Sequence, residues 1–257
     1  MLIGFCGIIG LLIGSFLNVV VWRVPRGESV VSPPSACPAC GTAIRPRDNV
    51  PVAGWLLLKG RCRDCAEPIS RRYPLVELGT GVLFAVLAYR FGYDAALPAF
   101  LYLGAVGVAL ALIDVDLKRL PDVLTLPSYG VALVLLGAAT LGGPDLHELV
   151  RGLVGLVAAG GLYFALWFGY PKGMGFGDVK LSGVLGLYLG WLGYGELVVG
   201  LFLGFLYGGL FGVGLILFKD GGRKTKVPFG PFMLAGTLTA VLVGGRLARA
   251  YLTLTTA

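Results

Sequence analysis

Three groups of side chains have the types and spacings to do chemistry. One is the carboxylate in Gly173-Met174-Gly175-Phe176-Gly177-Asp178-Val179-Lys180. The second is the acidic stretch Ile113-Asp114-Val115-Asp116-Leu117-Lys118-Arg119-Leu120-Pro121-Asp122, and the third is a set of four cysteines in two CxxC pairs. Each acidic stretch borders hydrocarbon: residues 149–170 are apolar apart from Arg151, 181–192 are apolar throughout, and 95–113 lead into Asp114. A carboxylate at the centre of such a run costs about 2.5–3.5 kcal/mol on insertion scales, so acids in these places usually have a job. Two separated carboxylates at one membrane face have the makings of an aspartyl protease dyad. The ionised member draws a proton from the attacking water and the protonated member donates one, so the pair titrates as a unit.

The acids differ in surroundings. Asp114 directly abuts Leu112-Ile113, a drier place than that of Asp116, which has Lys118 and Arg119 beside it and reads as solvated or paired. Asp122 reads as the N-cap of a helix opening at Val123. Asp114 and Asp178 are therefore the candidate catalytic pair. Gly175 and Gly177 would let backbone approach an extended peptide closely. The alternate glycines superficially resemble a nucleotide loop, but no strand precedes them, so that reading fails its context test.

Cys37-Pro38-Ala39-Cys40 and Cys62-Arg63-Asp64-Cys65 have 21 residues between them. Two tight knuckles aiming four thiolates at one point suit tetrahedral zinc. Four thiolates close the coordination sphere, so this metal would be structural, holding a segment too small to build its own core. Cys6, alone in the first apolar run, reads as a small packing residue, and the single His147 excludes a histidine-rich metal site.

The elements that must position these groups are membrane helices. The 257 residues are 56% hydrophobic and 14% charged, where a soluble chain has roughly 25% charged. Mean hydropathy is +0.84. The 42 glycines fit close helix packing in a bilayer. The expected fold is an all-α polytopic membrane protein with about eight transmembrane helices, near residues 2–22, 75–89, 95–113, 123–141, 149–170, 181–192, 197–218 and 229–245. Pro127 and Pro231 are expected breaks. Pro228-Phe229-Gly230-Pro231 should open the last span irregularly, and irregular backbone at that depth must be buried in protein or face a cavity. Glu77, just inside the second span, reads equally as a pathway residue or an interfacial one. The division is 1–22 first helix, 23–74 a cytoplasmic four-cysteine zinc-binding domain, and 75–257 a membrane peptidase core of about seven helices. No internal repeat is evident.

The net charge of +7 follows from topology and carries no sign of nucleic-acid binding. With the N-terminus outside, 17 of the 21 basic residues fall on the side of the 23–74 segment, nine of them within it. The positive-inside rule makes that side cytoplasmic, and both acidic stretches emerge there too. The basic run 219–226 is part of the same signal, with anionic lipid contact as a minor extra.

These residues resemble the bifunctional type IV prepilin peptidases, the prepilin leader peptidase/N-methyltransferases, which are GxGD-type membrane aspartyl proteases. The resemblance is carried by Gly14-Ser15-Phe16-Leu17-Asn18-Val19-Val20 with Arg23-Val24-Pro25-Arg26, and by the two CxxC pairs. It continues through Asn49-Val50-Pro51, Trp55-Leu56, Gly60-Arg61-Cys62-Arg63 and Arg72-Tyr73-Pro74-Leu75-Val76-Glu77. Ile113-Asp114, Leu120-Pro121-Asp122, Gly175-Phe176-Gly177-Asp178-Val179-Lys180 and Pro228-Phe229-Gly230-Pro231-Phe232 complete it. GxGD alone would be weak, but the full set in this order is highly specific. Ala53-Gly54 departs from the small polar residue many relatives carry.

The resemblance implies cleavage of a short basic leader from prepilins or pseudopilins, after a glycine, at the cytoplasmic face of the bacterial inner membrane. It implies methylation of the new N-terminus with S-adenosylmethionine, and service to a type IV pilus or type II secretion system. It carries the catalytic pair onto Asp114 and Asp178, the zinc ligands onto Cys37, Cys40, Cys62 and Cys65, and no recognisable loop for the methyl donor. Two other readings fit parts of the sequence. A transporter with a zinc-stapled island would need its acids mid-span, and an intramembrane protease would cut inside transmembrane helices.

Overall fold

The structure is a computed structural model that describes residues 1–141, 146–218 and 227–255; the basic run 219–226 lies outside the described residues. Among the described residues the regular structure is helical: α1 (Leu2–Arg23), the short α2 (Ala53–Leu57), α3 (Arg72–Phe91), α4 (Leu97–Leu117), α5 (Asp122–Leu141), α6 (His147–Gly169), α7 (Phe176–Leu192), α8 (Tyr194–Phe218), α9 (Gly230–Thr239) and α10 (Gly245–Thr255). A π turn, Ala240–Gly244, joins the last two into one 26-residue run, Gly230–Thr255. Among the described residues, seven helical runs are long and apolar enough to cross a membrane. The eighth expected span is α7, whose 17 residues rise about 26 Å, a little short of the ~30 Å hydrocarbon core.

Two expectations about breaks and caps are corrected. Pro127 lies inside α5 without ending it, and Asp122 is the first helical residue of α5, not its N-cap. The Thr125 hydroxyl donates to the Pro121 carbonyl, and the Leu124 and Thr125 amides reach the same oxygen. Asp114, expected at the edge of a loop, lies one turn inside the end of α4.

The chain forms two compact units, residues 1–109 and 110–257. In the first, α1 and α3 pack through small residues. A Cβ on Gly10 would stand 2.8 Å from the Gly81 Cα, and one on Gly14 would stand 2.7 Å from the Glu77 Cα. Without a hydrophobic drive between helices in lipid, such close approach is what holds them together. Between α1 and α3 lies the cysteine segment, and here the structure reveals a repeat that the residues hide. Residues 35–44 and 60–69 make the same hydrogen bonds. The Cys37 amide bonds the Thr42 carbonyl at 3.0 Å as Cys62 bonds Glu67 at 2.8 Å, and Ile44 bonds Ser35 at 2.9 Å as Ile69 bonds Gly60 at 2.7 Å. Gly41 and Ala66 occupy the matching left-handed position, with φ of 71° and 59°. The two stretches share little beyond their cysteines and a closing isoleucine, because backbone bonds and metal spacing constrain the knuckle while its other side chains face water.

In the second unit α7 is the hub. Every residue from Asp178 to Trp191 except Lys180 is buried. Gly155 of α6 meets Gly186 and Gly190 of α7 backbone to backbone, and Gly236 of α9 meets Gly204 of α8. Protein encloses α7 on nearly all sides, and that enclosure buries Asp178 and Val179 in its first turn.

Candidate active site and metal centre

Asp178 is the third residue of α7, and its Oδ2 accepts the amide of Gly175, the N-cap, at 3.1 Å. A carboxylate in the first turn also faces the positive end of the helix dipole. Asp114 is held differently. Its backbone carbonyl accepts the Lys118 amide at 2.8 Å, and Lys118, with φ of 52°, ends α4 in the left-handed conformation. Its Oδ2 accepts the Gly230 amide at 2.9 Å, so the opening of α9 caps a carboxylate 116 residues away. Both aspartates are buried, at 4% exposure for Asp114 and 8% for Asp178. Their carboxylates lie within electrostatic range of each other. Among the described residues the remaining oxygen of each has no protein partner.

Leu120 connects the two supports. It is buried against the Cα of Gly177, where a Cβ would come within 3.1 Å of the Leu120 Cβ, and against Gly230, where a Cβ would stand 3.3 Å from Cδ2. A Cβ on Gly230 would also stand 2.8 Å from Asp114 Oδ2. A second tie runs between the acidic stretches: Lys180 Nζ lies 2.8 Å from both oxygens of Asp122, and the Tyr129 hydroxyl donates to the Lys180 carbonyl at 2.6 Å. Asp116 is exposed at the end of α4.

Sequence reasoning missed several of these parts. Nothing in Phe229-Gly230-Pro231 reveals that the glycine amide points at Asp114. Tyr163, buried on α6, stacks on Phe205 with centroids 5.2 Å apart and tilts against Phe229 at 6.2 Å, backing the residue that precedes Gly230. The Asp122–Lys180 pair could have been guessed only from complementary charges in two short motifs.

In the first unit, the Sγ atoms of Cys37, Cys40, Cys62 and Cys65 all lie within 4.8 Å of one another, and none is in a disulfide. The Cys37–Cys65 separation of 3.8 Å matches the edge of a tetrahedron with metal–sulfur bonds of about 2.3 Å. The donor set therefore fits a metal ion. The side chain and amide of Thr42 bring the Cys40 pKa down to about 6. Against the pull of the Glu67 backbone, burial and the other three thiols push Cys65 up to about 12, so the four thiols titrate as one group. Outside the cluster, Asp48 takes both ends of the Arg63 fork at 2.6 and 2.8 Å, and Asp64 pairs with Arg45 at 3.0 Å. The Arg63 guanidinium holds the Asp48 carboxyl below its usual range.

Glu77 is also buried, and its Oε2 accepts the Val52 amide at 2.7 Å. Val52 has φ 61° and ψ −51°, and the Ala53 amide bonds the Pro51 carbonyl at 2.6 Å, which makes a strained γ-turn at a β-branched residue.

An all-helical, multi-pass membrane protein with two buried, glycine-anchored aspartates and a four-cysteine cluster is the class that fold and site define. The comparisons with known proteins make the class specific. Residues 8–91 match the family model described as the Bacterial Peptidase A24 N-terminal domain, and residues 100–213 match the Type IV leader peptidase family. The chain is 39% identical to the prepilin leader peptidase/N-methyltransferase of Aeromonas hydrophila, over 95% of this chain and 91% of that one. It is 36% identical to the Pseudomonas aeruginosa protein of the same name, over 95% and 91%. It is 35% identical to the type 4 prepilin-like proteins leader peptide-processing enzyme of Escherichia coli, over 90% of each. No solved structure matched at a significant level. The chain belongs to the type IV leader peptidase family.

Proposed function

We propose that this protein removes the leader peptide from type IV prepilins or pseudopilins and methylates the new N-terminus, with Asp114 and Asp178 as the catalytic pair. The observation that carries the reading is the matched anchoring of two buried aspartates, each with one oxygen on a glycine amide and the other unpartnered. The names of the full-length relatives support both activities.

The chemistry follows from that geometry. The ionised carboxylate takes a proton from a water as its oxygen attacks the peptide carbonyl carbon, while the protonated carboxylate donates to the carbonyl oxygen. In collapse the first carboxyl passes the proton taken from water to the leaving amine as the C–N bond breaks. A hydroxyl of the tetrahedral intermediate returns a proton to the second carboxylate, which restores the pair. The glycine amides fix each Oδ2, so the free oxygens face the reacting atoms. The exposed bare backbone at Gly175 admits an extended segment, the leader junction following a glycine, while the missing side chain at Gly177 makes room for Leu120. The second activity transfers a methyl group from S-adenosylmethionine, whose part is an electrophilic methyl. The protein's part is to hold donor and deprotonated amine in line, and positioning of that kind supplies much of such a rate.

The four-cysteine cluster is assigned one structural zinc, whose part is a fixed tetrahedral centre tying the two knuckles together. Residues 23–74 are accordingly taken as the zinc domain and 75–257 as the peptidase core. The charge asymmetry supports a bacterial inner-membrane location with both on the cytoplasmic side, against anionic lipid. The service is pilus biogenesis or type II secretion. The test is to incubate purified protein with a prepilin and S-adenosylmethionine and weigh the product. Loss of the leader and gain of one methyl is expected, and an intact prepilin would overturn the proposal.

A further inference from the structure

Within the first unit, the stretch that joins the two cysteine knuckles carries the short helix α2. Leu56 and Leu57, adjacent on that helix, are 60% and 80% exposed, and Val50 just before it is exposed as well. The other side of α2 is fixed. The Trp55 indole donates to the Ile69 carbonyl at 3.0 Å, the same ring lies against Gly60, and Gly54 is buried against the Asp48 carbonyl. Single surface leucines are ordinary. An adjacent pair left outside by a pinned tryptophan is not.

The depth of α2 follows from its tether. The Val52 amide, one residue before the helix, donates to buried Glu77 at 2.7 Å. Glu77 is the sixth residue of α3, whose 20 residues rise about 30 Å, the thickness of the hydrocarbon core. The Glu77 backbone packs against Gly14 of α1. Further along α1, exposed Trp22 carries the Arg26 guanidinium 3.5 Å from its ring centre. An exposed tryptophan at the end of an apolar helix marks the headgroup level. From Gly14 to Trp22 the helix rises about 12 Å, so the tether lies on the hydrocarbon side of that level. The flanks of Glu77 agree, because Leu75 and Leu78 on α3 are both apolar and exposed.

The charges beside α2 have one sign. Lys59 and Arg61 are exposed, and no acid occurs between Asp48 and Asp64. Those two acids are already engaged, Asp48 by the fork of Arg63 and Asp64 by Arg45. Apolar side chains followed at once by exposed cations suit an anionic leaflet, with acyl chains taking the first and phosphates the second.

We propose that α2 is a foot set into the bilayer leaflet at the cysteine-segment end of α1 and α3. Leu56 and Leu57 enter the upper acyl chains, and Lys59 and Arg61 meet lipid phosphates. The knuckles at 35–44 and 60–69 flank this foot, so it seats the four-cysteine cluster on the membrane surface. The inference rests on the membrane-spanning helices and not on either enzymatic activity. An apolar face of a second copy would cover the leucines but give no part to the two cations.

The test replaces Leu56 or Leu57, one at a time, with photoreactive benzoylphenylalanine. The purified protein is reconstituted in vesicles of phosphatidylcholine and phosphatidylglycerol in equal amounts, irradiated and weighed intact. The same group at Leu78 marks the lipid-facing surface of α3, and at Glu67 it marks a knuckle. Lipid adducts at 56 and 57 should come within about threefold of those at 78 and exceed those at 67 at least about tenfold. They should also favour phosphatidylglycerol several-fold, a preference lost when Lys59→Gln and Arg61→Gln are combined. Because the labels replace exposed side chains, metal content should match the parent's. Adducts at 56 and 57 no more frequent than at 67, or formed chiefly with a second protein chain, would overturn the proposal. Lipid adducts with no preference in the parent would overturn the part given to Lys59 and Arg61.

Discussion

The amide of Gly230 donates to Asp114 Oδ2 at 2.9 Å across 116 residues of chain. The same device operates locally at Asp178, whose Oδ2 accepts the Gly175 amide three residues back. Backbone donors on glycine can reach a buried carboxylate that a side chain would obstruct, and their partial charge offsets some of the cost of burial. Each aspartate is thus oriented while one oxygen stays open for a water or a peptide.

The dyad gives the first prediction. Asp114→Asn and Asp178→Asn should each lower prepilin cleavage by at least about a thousandfold with the protein still in the membrane, since neither carboxyl can accept and donate the proton alone. Asp116→Asn should stay within a few-fold of the parent. An active Asp114→Asn together with an inactive Asp116→Asn would show that the wrong acid on α4 was chosen.

Gly230→Ala tests the anchor. The new Cβ would stand 2.8 Å from Asp114 Oδ2 and 3.3 Å from Leu120 Cδ2, so the carboxylate must swing away. A displacement of about 1 Å in a positioned group can cost a hundredfold in rate. Cleavage kinetics should show that loss in kcat with little change in KM. Unaltered kcat would mean the glycine is there for packing alone.

The Asp122–Lys180 pair should matter less than its bidentate geometry invites. Asp122 is 54% exposed and Lys180 26%, and such pairs contribute about 0–1 kcal/mol. Asp122→Asn and Lys180→Met should each reduce cleavage less than about fivefold, because the Tyr129 hydroxyl still holds the Lys180 carbonyl. A greater loss, restored by exchanging the two charges, would assign the pair a positioning role.

The cysteine knuckles predict metal dependence and one stabilising change. Serine at Cys37, Cys40, Cys62 or Cys65 should release the bound zinc, measured by elemental analysis, and depress methylation more than cleavage. Ala66 sits where its counterpart is Gly41, at a φ that costs a non-glycine residue about 1 kcal/mol or more. Ala66→Gly should therefore resist chelator-driven metal loss better than the parent, and Gly41→Ala should lose metal sooner. Equal release rates in all three would show that neither position is strained.

Much of this protein is determined by the sequence alone. Hydropathy places six of the eight helices within about four residues of their observed bounds, because a bilayer demands long apolar runs whose backbone is satisfied internally. α7 begins five residues before its expected span, and the last run continues ten residues past its own, to Thr255. The cysteine spacing is equally direct: tetrahedral thiolate geometry constrains a CxxC turn wherever it occurs, and the four sulfurs do converge. Asp114 and Asp178 stand out because carboxylates beside hydrocarbon are costly. What the tertiary structure alone decides are the long-range partners. The pairing of Gly230 with Asp114, the seat of Leu120 between two glycines and the hold of Glu77 on Val52 depend on which helices pack together. Those contacts pass through backbone atoms or single buried side chains and leave no periodicity in the sequence. The matched knuckles are hidden for a related reason, since hydrogen bonds between main-chain atoms can repeat while the side chains around them diverge.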